Sequence, residues 1–243
     1  MTPSDEERTT RRLREICERH GLNSAQGGQL RCLLEVLATD PYAPTRVTQP
    51  TEAVDVHVAD SLAALDLAAV RRAQTIADIG AGPGFPGLAL AVALPASRVT
   101  LVESATRKCE YIERARSAGG VGNATVARTR AEEWPAGLGE HDIVTARAVA
   151  SLPVLCEYAA PLLREGGALV AWRGRREPYE EQAAARACAL LGLESAEAVR
   201  SEPYPGSVGH HLHVYLKVMR TPPRFPRRPG IASKRPLGAS RGG

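Results

Sequence analysis

The sequence of 243 residues lacks several features that would assign it to particular classes of protein. Its five cysteines are widely scattered and form no Cys-x-x-Cys pair, which argues against a zinc site or a disulfide framework. The longest apolar run, Leu88 to Leu94, is far too short to span a bilayer. The first residues lack the apolar segment of a signal peptide. We therefore expect a cytoplasmic protein with reduced thiols, no metal and no membrane contact.

Lysine is also rare, with three residues among 31 basic ones, but such a preference can follow from genome composition and is not taken as a binding signal. The distribution of charge is more informative. Residues 220–243 contain seven Arg or Lys and no acidic residue, whereas the other 24 basic and 27 acidic residues leave the body at −3. A cationic tail on a mildly acidic body suits a polyanionic partner. Charge alone fits a solubilising end equally well.

The pattern of residues divides the chain into three parts. Residues 1–70 predict a helical extension packed on the core, with two helices over 4–38 and a third from Glu52 to Leu67. Residues 71–220 alternate strands with helices, which predicts an α/β domain with a doubly wound, mostly parallel sheet. Residues 221–243 hold five prolines and four glycines, so regular structure is not expected there. No heptad or long exposed apolar strand requires a dimer, and we expect a monomer.

The predicted elements of the middle part can be placed by their apolar patterns. Strands are expected at Thr75–Ile79, Arg98–Glu103, Ala124–Ala127, Asp142–Ala146, Ala168–Trp172 and His211–Met219. Helices are expected at Pro86–Ala93, Thr106–Ala118, Ser151–Leu163 and Glu180–Leu191.

The most specific signal is a glycine-rich segment, Asp78–Gly87, which follows the first strand and opens a helix. Its glycines let the backbone pass close to a ligand. The dinucleotide pattern would need glycine at position 85, where this chain has phenylalanine. The spacing instead is typical of the loop that holds the methionine and ribose of S-adenosylmethionine. The candidate cofactor residues here are Asp78, Gly80, Gly82, Gly84 and Phe85.

Further candidates follow the next three strands. Glu103 ends the second strand, where a carboxylate can accept hydrogen bonds from both ribose hydroxyls. After the third strand, a backbone N–H of Ala131 or Glu132 could meet the adenine edge. Arg147 ends the fourth strand and should point into the site, since ligands of such sheets bind beyond the carboxyl ends of the strands. Arg147 could hold the cofactor carboxylate, an RNA phosphate or a guanine oxygen, and it is our candidate catalytic residue.

Several histidines invite a functional interpretation. His57, Asp60 and Ser61 share one helix face, and we favour a structural hydrogen-bonding role for them over acid–base catalysis. His210, His211 and His213 lie close together, but no carboxylate or cysteine cluster supports a metal. We expect them on a solvated strand. The chain also lacks the Asn-Pro-Pro-Tyr type of sequence used to methylate exocyclic amines and the Pro-Cys pair used at pyrimidine carbon 5.

Three segments together resemble one family. The glycine-rich segment, His57–Leu62 (HVADSL) and Arg147–Leu152 (RAVASL) are similar to the bacterial 16S ribosomal RNA guanine-N7 methyltransferases (RsmG, also called GidB). The end of the chain, from Arg227 to Leu237, is similar as well. Two departures are Ala43-Pro44-Thr45, where the family often has Asn-Leu-Thr, and Val56, where an arginine commonly precedes the histidine. Both lie outside the glycine loop, so they put substrate contacts or packing in doubt.

The resemblance implies a class I, Rossmann-like fold and methyl transfer from S-adenosylmethionine to N7 of one guanine in the 530 loop of 16S ribosomal RNA. It implies cofactor contacts at Gly80, Phe85, Ala131, Glu132 and Arg147. The expected partner is 16S ribosomal RNA or the small ribosomal subunit. A small-molecule methyltransferase and a catalytically silent RNA-binding protein remain the alternatives. We expect the tail to serve RNA affinity rather than cofactor affinity, through Arg227, Arg228, Lys234 and Arg235.

Overall fold

Two helices open the chain in the computed structural model, which describes residues 4–238: α1 (Asp5–His20) and α2 (Ser24–Thr39). A capping box begins α1, because Ser4 Oγ accepts from the Glu7 N–H at 3.2 Å and Glu7 Oε2 accepts from the Ser4 N–H at 2.7 Å. Gly21 ends this helix at a φ of 70°, a left-handed conformation that favours glycine. Both helices turn apolar faces toward the domain, so the predicted pair is confirmed.

The third predicted helix is a continuous helical stretch of mixed geometry over residues 50–66. It consists of α3 (Pro50–Ala53), a π-helical segment (Val54–Ala59), α4 (Asp60–Leu62) and a 3-10 turn (Ala63–Asp66). A short α5 (Ala68–Arg71) follows, which the sequence did not predict. π-Helical segments within helices are frequent at functional sites, and this one carries His57.

A seven-stranded sheet with the order β3-β2-β1-β4-β5-β7-β6 forms the centre of the molecule. Its strands are β1 (Thr75–Ile79), β2 (Arg98–Glu103), β3 (Ala124–Arg128), β4 (His141–Arg147), β5 (Leu163–Arg173), β6 (Leu193–Ser201) and β7 (His210–Lys217). The first five strands are parallel, while β7 runs antiparallel to β5 and to β6. The predicted doubly wound, mostly parallel sheet is confirmed.

Four longer helices connect the strands: α6 (Gly87–Ala93), α7 (Thr106–Ala118), α8 (Leu152–Ala159) and α9 (Pro178–Leu191). All lie where the sequence predicts helices, with ends that differ by a few residues. The missed element is β6, a strand at the sheet edge. Most of its side chains are exposed or half-buried, so its sequence shows no strong apolar alternation.

Alternate residues of the strands face two apolar clusters on opposite sides of the sheet. Ile76 of β1 and Ile143 of β4 join the cluster that includes α1, α2, α6 and α7. Their neighbours Ala77 and Val144 join the other cluster, with α8 and α9. The N-terminal helices therefore extend the same core that packs against one face of the sheet. None of the helices between residues 4 and 238 is long and apolar enough to cross a membrane.

The C-terminal segment differs from its prediction. Residues 231–234 form a short helix, α10 (Ile231–Lys234), and Ala232 is buried. Phe225 and Leu237 pack against the cluster that contains α8 and α9. The expectation of no regular structure was wrong here, because prolines and glycines do not exclude tertiary packing by the apolar residues between them. Arg241, which contributes to the cationic tail, lies outside the described residues.

Candidate active site

The glycine-rich loop lies at the carboxyl end of β1, and a buried carboxylate fixes its shape. Asp78 Oδ2 accepts from the Gly87 N–H at 2.9 Å, which joins the end of β1 to the start of α6. Asp78 Oδ1 accepts from the Thr145 hydroxyl on β4, also at 2.9 Å. Burial raises the pKa of Asp78 to about 6 despite these two donors. Asp78 thus supports the loop from below, and its predicted contact with a cofactor stays a prediction.

The glycines of the loop serve different purposes. A Cβ at Gly80 would lie 2.7 Å from Val149 Cγ2, and one at Gly84 would lie 2.6 Å from Leu88 Cδ1. Packing within the protein therefore requires glycine at both positions. At Gly82 the φ is 54°, yet a Cβ would meet nothing closer than the Gly80 carbonyl oxygen at 3.8 Å. Packing within the protein therefore leaves room for a Cβ at Gly82, and this room fits the close approach of a ligand to the backbone that an S-adenosylmethionine site would need.

Glu103, at the end of β2, lies directly beside the Gly82 backbone. Its Oε2 accepts from the Gly82 N–H at 3.2 Å, and its Oε1 accepts from the Ala105 N–H at 2.9 Å. Glu103 is buried, with Lys108 Nζ 4.0 Å from Oε2 as its ion-pair partner. A buried carboxylate keeps further acceptor lone pairs, which suit the paired hydroxyls of a ribose. The structure therefore brings together Gly82 and Glu103, as their roles in a cofactor site require.

Ala131 and Glu132 form a 3-10 turn, Ala131–Glu133, after β3. Ala131 belongs to the apolar cluster on the α8 side of the sheet. Glu132 Oε1 accepts from the Gly230 N–H of the C-terminal segment at 3.3 Å. The turn follows β3, the strand next to β2, and contact of its backbone N–H groups with adenine stays a prediction.

Arg147 ends β4 and contacts three elements at once. Its Nη1 donates to Asp60 Oδ2 at 2.7 Å and to the Val56 carbonyl at 2.9 Å. Its Nη2 lies 3.3 Å from His57 Nδ1 and 3.5 Å from the carbonyl oxygen of Phe85 in the glycine loop. The side chain is only 15% exposed. Arg147 therefore joins the helical stretch of residues 50–66 to the glycine loop, and the predicted ligand contact remains a proposal.

His57 is a hydrogen-bonding residue in this cluster. Its ring stacks on Phe85 with centroids 5.2 Å apart, and its Nε2 lies 3.1 Å from the Val47 carbonyl. Since Nδ1 faces the Arg147 guanidinium, Nδ1 accepts and Nε2 carries the proton. Burial and the charge of Arg147 lower the pKa of His57 to about 4. His57 is neutral near pH 7, and Ser61 donates its hydroxyl proton to the His57 carbonyl, so both have structural bonds.

A cavity of about 460 Å³ opens beside Arg147, at the carboxyl ends of β4 and β5. That volume lies within the range of small-ligand sites, about 300–1,000 Å³. Its wall includes Ala148, whose φ of 56° is unusual for a residue other than glycine. The indole Nε1 of Trp172 donates to the Asp60 carbonyl at 2.9 Å and so fixes another part of the wall. The cavity offers a second binding space next to the glycine loop.

The structure separates the four predicted RNA contacts. Arg228, Lys234 and Arg235 are exposed. Arg227 instead forms a two-pronged ion pair with the buried Glu157 of α8. Glu157 was not among the residues expected from the sequence, although a lone carboxylate in the apolar helix LPVLCEYA is a visible signal of a buried partner.

We had expected the three histidines near the C-terminus on a solvated strand, and this expectation was wrong. They lie on β7, which is hydrogen-bonded to strands on both sides, and His213 is buried. The antiparallel β6 covers an edge that the sequence had left open. Among residues 4–238 there is no group of three or more histidine, cysteine or acidic side chains placed to hold a metal ion.

Comparison with known proteins gives a consistent family. The family model described as GidB: rRNA small subunit methyltransferase G matches residues 36–203. The curated Ribosomal RNA small subunit methyltransferase G of Synechococcus elongatus is 37% identical over 198 residues, which cover 80% of this chain and 82% of that protein. The protein of the same name from Chloroflexus aggregans is 43% identical over 163 residues, covering 66% of this chain and 68% of its own.

Solved structures support the fold at lower identity. A variant of MtNAS in complex with S-adenosylmethionine matches with a TM-score of 0.56 and 19% identity, over 85% of this chain and 78% of that one. Cofactor-bound Rv0187 from MTB matches with a TM-score of 0.55 and 21% identity, over 78% of this chain and 89% of that one. These likenesses support the class I, Rossmann-like fold expected from the sequence.

Proposed function

Because the chain belongs to the rRNA small subunit methyltransferase G family, we propose that it methylates N7 of one guanine in the 530 loop of 16S ribosomal RNA. The methyl donor is S-adenosylmethionine. The partner is the ribosomal RNA itself or an assembling small subunit, and the protein acts in the cytoplasm as a monomer.

One structural observation carries the proposal: the room left beside the Gly82 backbone, next to the buried carboxylate of Glu103. A Cβ at Gly82 would meet nothing in the protein closer than 3.8 Å, while Glu103 Oε2 lies 3.2 Å from the Gly82 nitrogen. The residues present therefore fit a ligand that carries a ribose and must pass close to the main chain. Gly80, Gly82, Gly84, Phe85, Glu103, Ala131, Glu132 and Arg147 would hold it, with Asp78 supporting the loop from inside.

When bound, S-adenosylmethionine supplies an electrophilic methyl group on a sulfonium centre. The residues of this chain then have to align the acceptor and keep water away, since guanine N7 carries a lone pair and no proton. A general base is not needed, which agrees with the neutral, hydrogen-bonded state of His57. Catalysis follows mainly from alignment and desolvation of the two partners.

The cavity beside Arg147 is the proposed entrance for the acceptor guanine. It adjoins the glycine loop through the contact between Arg147 and the Phe85 carbonyl. A guanidinium is well suited to donate to guanine O6, the oxygen next to N7. In this proposal Arg147 orients the base, and Asp60 and His57 hold Arg147 in place.

Transfer of tritium from labelled S-adenosylmethionine separates this proposal from its alternatives. The purified protein is incubated either with small-subunit ribosomal RNA or with a metabolite extract of low molecular weight. We expect label in the RNA alone. Label in the metabolite fraction would support a small-molecule methyltransferase. RNA binding without transfer to either fraction would support a silent RNA-binding protein.

A further inference from the structure

The C-terminal residues 222–238, here called the strap, lie across α8 next to the turn Ala131–Glu133. Three apolar side chains of the strap, Phe225, Ala232 and Leu237, belong to or pack on the cluster formed with α8 and α9. The Arg186 Nε on α9 also donates to the Gly238 carbonyl at 2.7 Å. The strap is therefore a packed part of the fold rather than a solvated end.

A buried ion pair anchors the middle of the strap. Arg227 Nε donates to Glu157 Oε1 at 2.8 Å, and Arg227 Nη2 donates to Glu157 Oε2 at 2.6 Å. The Arg227 backbone N–H also donates to Oε1, at 3.1 Å. The Glu157 side chain is 1% exposed, and within residues 4–238 all hydrogen bonds to its carboxylate come from Arg227. Loss of Arg227 alone would leave a buried carboxylate without compensation, so the pair strongly favours the docked strap.

One further contact connects the strap to the turn that follows β3, and another connects it to α8. The Gly230 N–H donates to Glu132 Oε1 at 3.3 Å, from a left-handed conformation with a φ of 78°. The Ser233 hydroxyl lies 3.0 Å from the Tyr158 hydroxyl on α8. Burial raises the pKa of Tyr158, and the nearby Glu132 carboxylate raises it further. The turn is thus held between α8 and the strap.

We propose that the strap positions the turn Ala131–Glu133 for the cofactor, with Glu157 and Arg227 as positioning residues. This inference rests on the proposed function, in which backbone N–H groups of that turn meet the adenine. If the turn is in its binding conformation for only a fraction of the time, the apparent dissociation constant of the ligand equals the intrinsic one divided by that fraction. The docked strap removes this loss, although none of its residues has to contact the ligand.

The test compares the full-length protein with three variants. E157A/R227A removes both charges and so leaves no unpaired carboxylate. R227K keeps the charge but loses the two-pronged geometry, and R228A changes the exposed neighbour as a matched control. Hydrogen exchange without ligand is measured at residues 225–237, 130–134 and 80–87. Binding of S-adenosylhomocysteine is measured by calorimetry, and methyl transfer is measured at saturating cofactor.

In E157A/R227A we expect faster exchange at 225–237 and 130–134, but not at 80–87. The dissociation constant should rise about tenfold, as expected if the turn is competent for a tenth of the time. The turnover number at saturating cofactor should stay within about twofold, because bound cofactor restores the turn. R227K should lie between this variant and the wild type. R228A should match the wild type in hydrogen exchange and in affinity for S-adenosylhomocysteine, the two measurements that do not involve RNA.

The proposal is wrong if exchange rises at 225–237 while exchange at 130–134 and the affinity stay unchanged, since the strap would then only cover α8. It is also wrong if neither E157A/R227A nor R227K loosens the strap. If E157A/R227A loses its fold throughout, R227K decides between the same outcomes. Absence of binding by the wild type would contradict the proposed function instead, while the exchange measurements would still report on the strap and the turn.

Discussion

His57 and Arg147 face each other with His57 Nδ1 only 3.3 Å from Arg147 Nη2. The imidazole accepts from the guanidinium and donates from Nε2 to the Val47 carbonyl, 3.1 Å away. Both ring nitrogens are therefore in use, and a proton on Nδ1 would oppose the charge of Arg147. This pair connects the helical stretch of residues 50–66, the segment before it and the end of β4.

The first prediction concerns the pH dependence of stability. Burial and Arg147 lower the pKa of His57 from 6.5 to about 4, so the folded state resists a proton that the unfolded chain binds. The stability that His57 contributes is complete above pH 6.5 and is lost as pH falls toward 4. Replacing His57 with glutamine should remove this loss. Between pH 7 and 4.5, the free energy of unfolding of H57Q should therefore fall by about 2–3 kcal/mol less than that of the wild type.

Urea unfolding of wild type and H57Q at the two pH values measures this difference. Asp78, whose pKa is raised, acts with the opposite sign, but it does so in both proteins. Equal slopes in wild type and H57Q would mean that His57 takes up its proton as readily in the folded protein as in the unfolded chain, which would contradict the lowered pKa.

The second prediction uses the room for a Cβ at Gly82. G82A should weaken binding of S-adenosylmethionine at least about tenfold, because the new methyl group enters the space where the ligand backs onto the loop. G120A is the control for backbone strain, because Gly120 also has a positive φ, of 60°, and a Cβ there would lie 3.9 Å from its nearest neighbour. Thermal unfolding should show that G82A and G120A are destabilised equally. Calorimetry should show weaker cofactor binding in G82A alone. Equal affinity in both variants would mean that the ligand does not bind against this loop.

The third prediction concerns the carboxylate of Glu103. E103Q should lose about 1.5–3 kcal/mol of cofactor affinity, because ribose hydroxyls bond more strongly to a charged acceptor. The same change also weakens the bonds from the Gly82 and Ala105 N–H groups, so exchange at both amides should rise. E110Q, an exposed glutamate on α7, provides the control. Full affinity in E103Q would place the ribose elsewhere.

The fourth prediction separates the exposed cations of the strap from Arg227. R228A/K234A/R235A should raise the Michaelis constant for RNA about tenfold at moderate salt and reduce the salt slope by about 2–3. Cofactor affinity should not change, since these side chains are exposed and the contact of the strap with Glu157 on α8 is left intact. An unchanged Michaelis constant and slope would assign RNA binding to other surfaces.

Much of the fold follows from local sequence. The strands β1 and β2 and the helix α7 have the bounds that their apolar patterns predict. Their buried residues recur with the spacing of a strand or of a helix, so the sequence shows where each element begins and ends. The glycine loop is also visible in the sequence, since its glycines and Asp78 lie within ten residues. Residues such as these carry their structural signal in their immediate neighbours.

The rest depends on contacts between distant parts of the chain. Arg227 and Glu157 are 70 residues apart, and nothing around either residue names its partner. A charge-rich, proline-rich end therefore suggested a free RNA-binding tail, whereas one of its arginines holds the strap on α8. The edge strand β6 was missed for a related reason, because its pairing with β7 determines its structure more than its own composition does.

The central claim is methylation of guanine N7 in the small-subunit RNA, and the product nucleoside tests it most directly. A 7-methylguanine nucleotide carries a fixed positive charge and is cleaved by borohydride followed by aniline. RNA from the wild-type strain should be cleaved at a guanine of the 530 loop, and RNA from a deletion strain should not. Restoring the gene should restore the cleavage. Identical cleavage in both strains, or methyl groups found on an exocyclic amine or a ribose hydroxyl, would contradict the account.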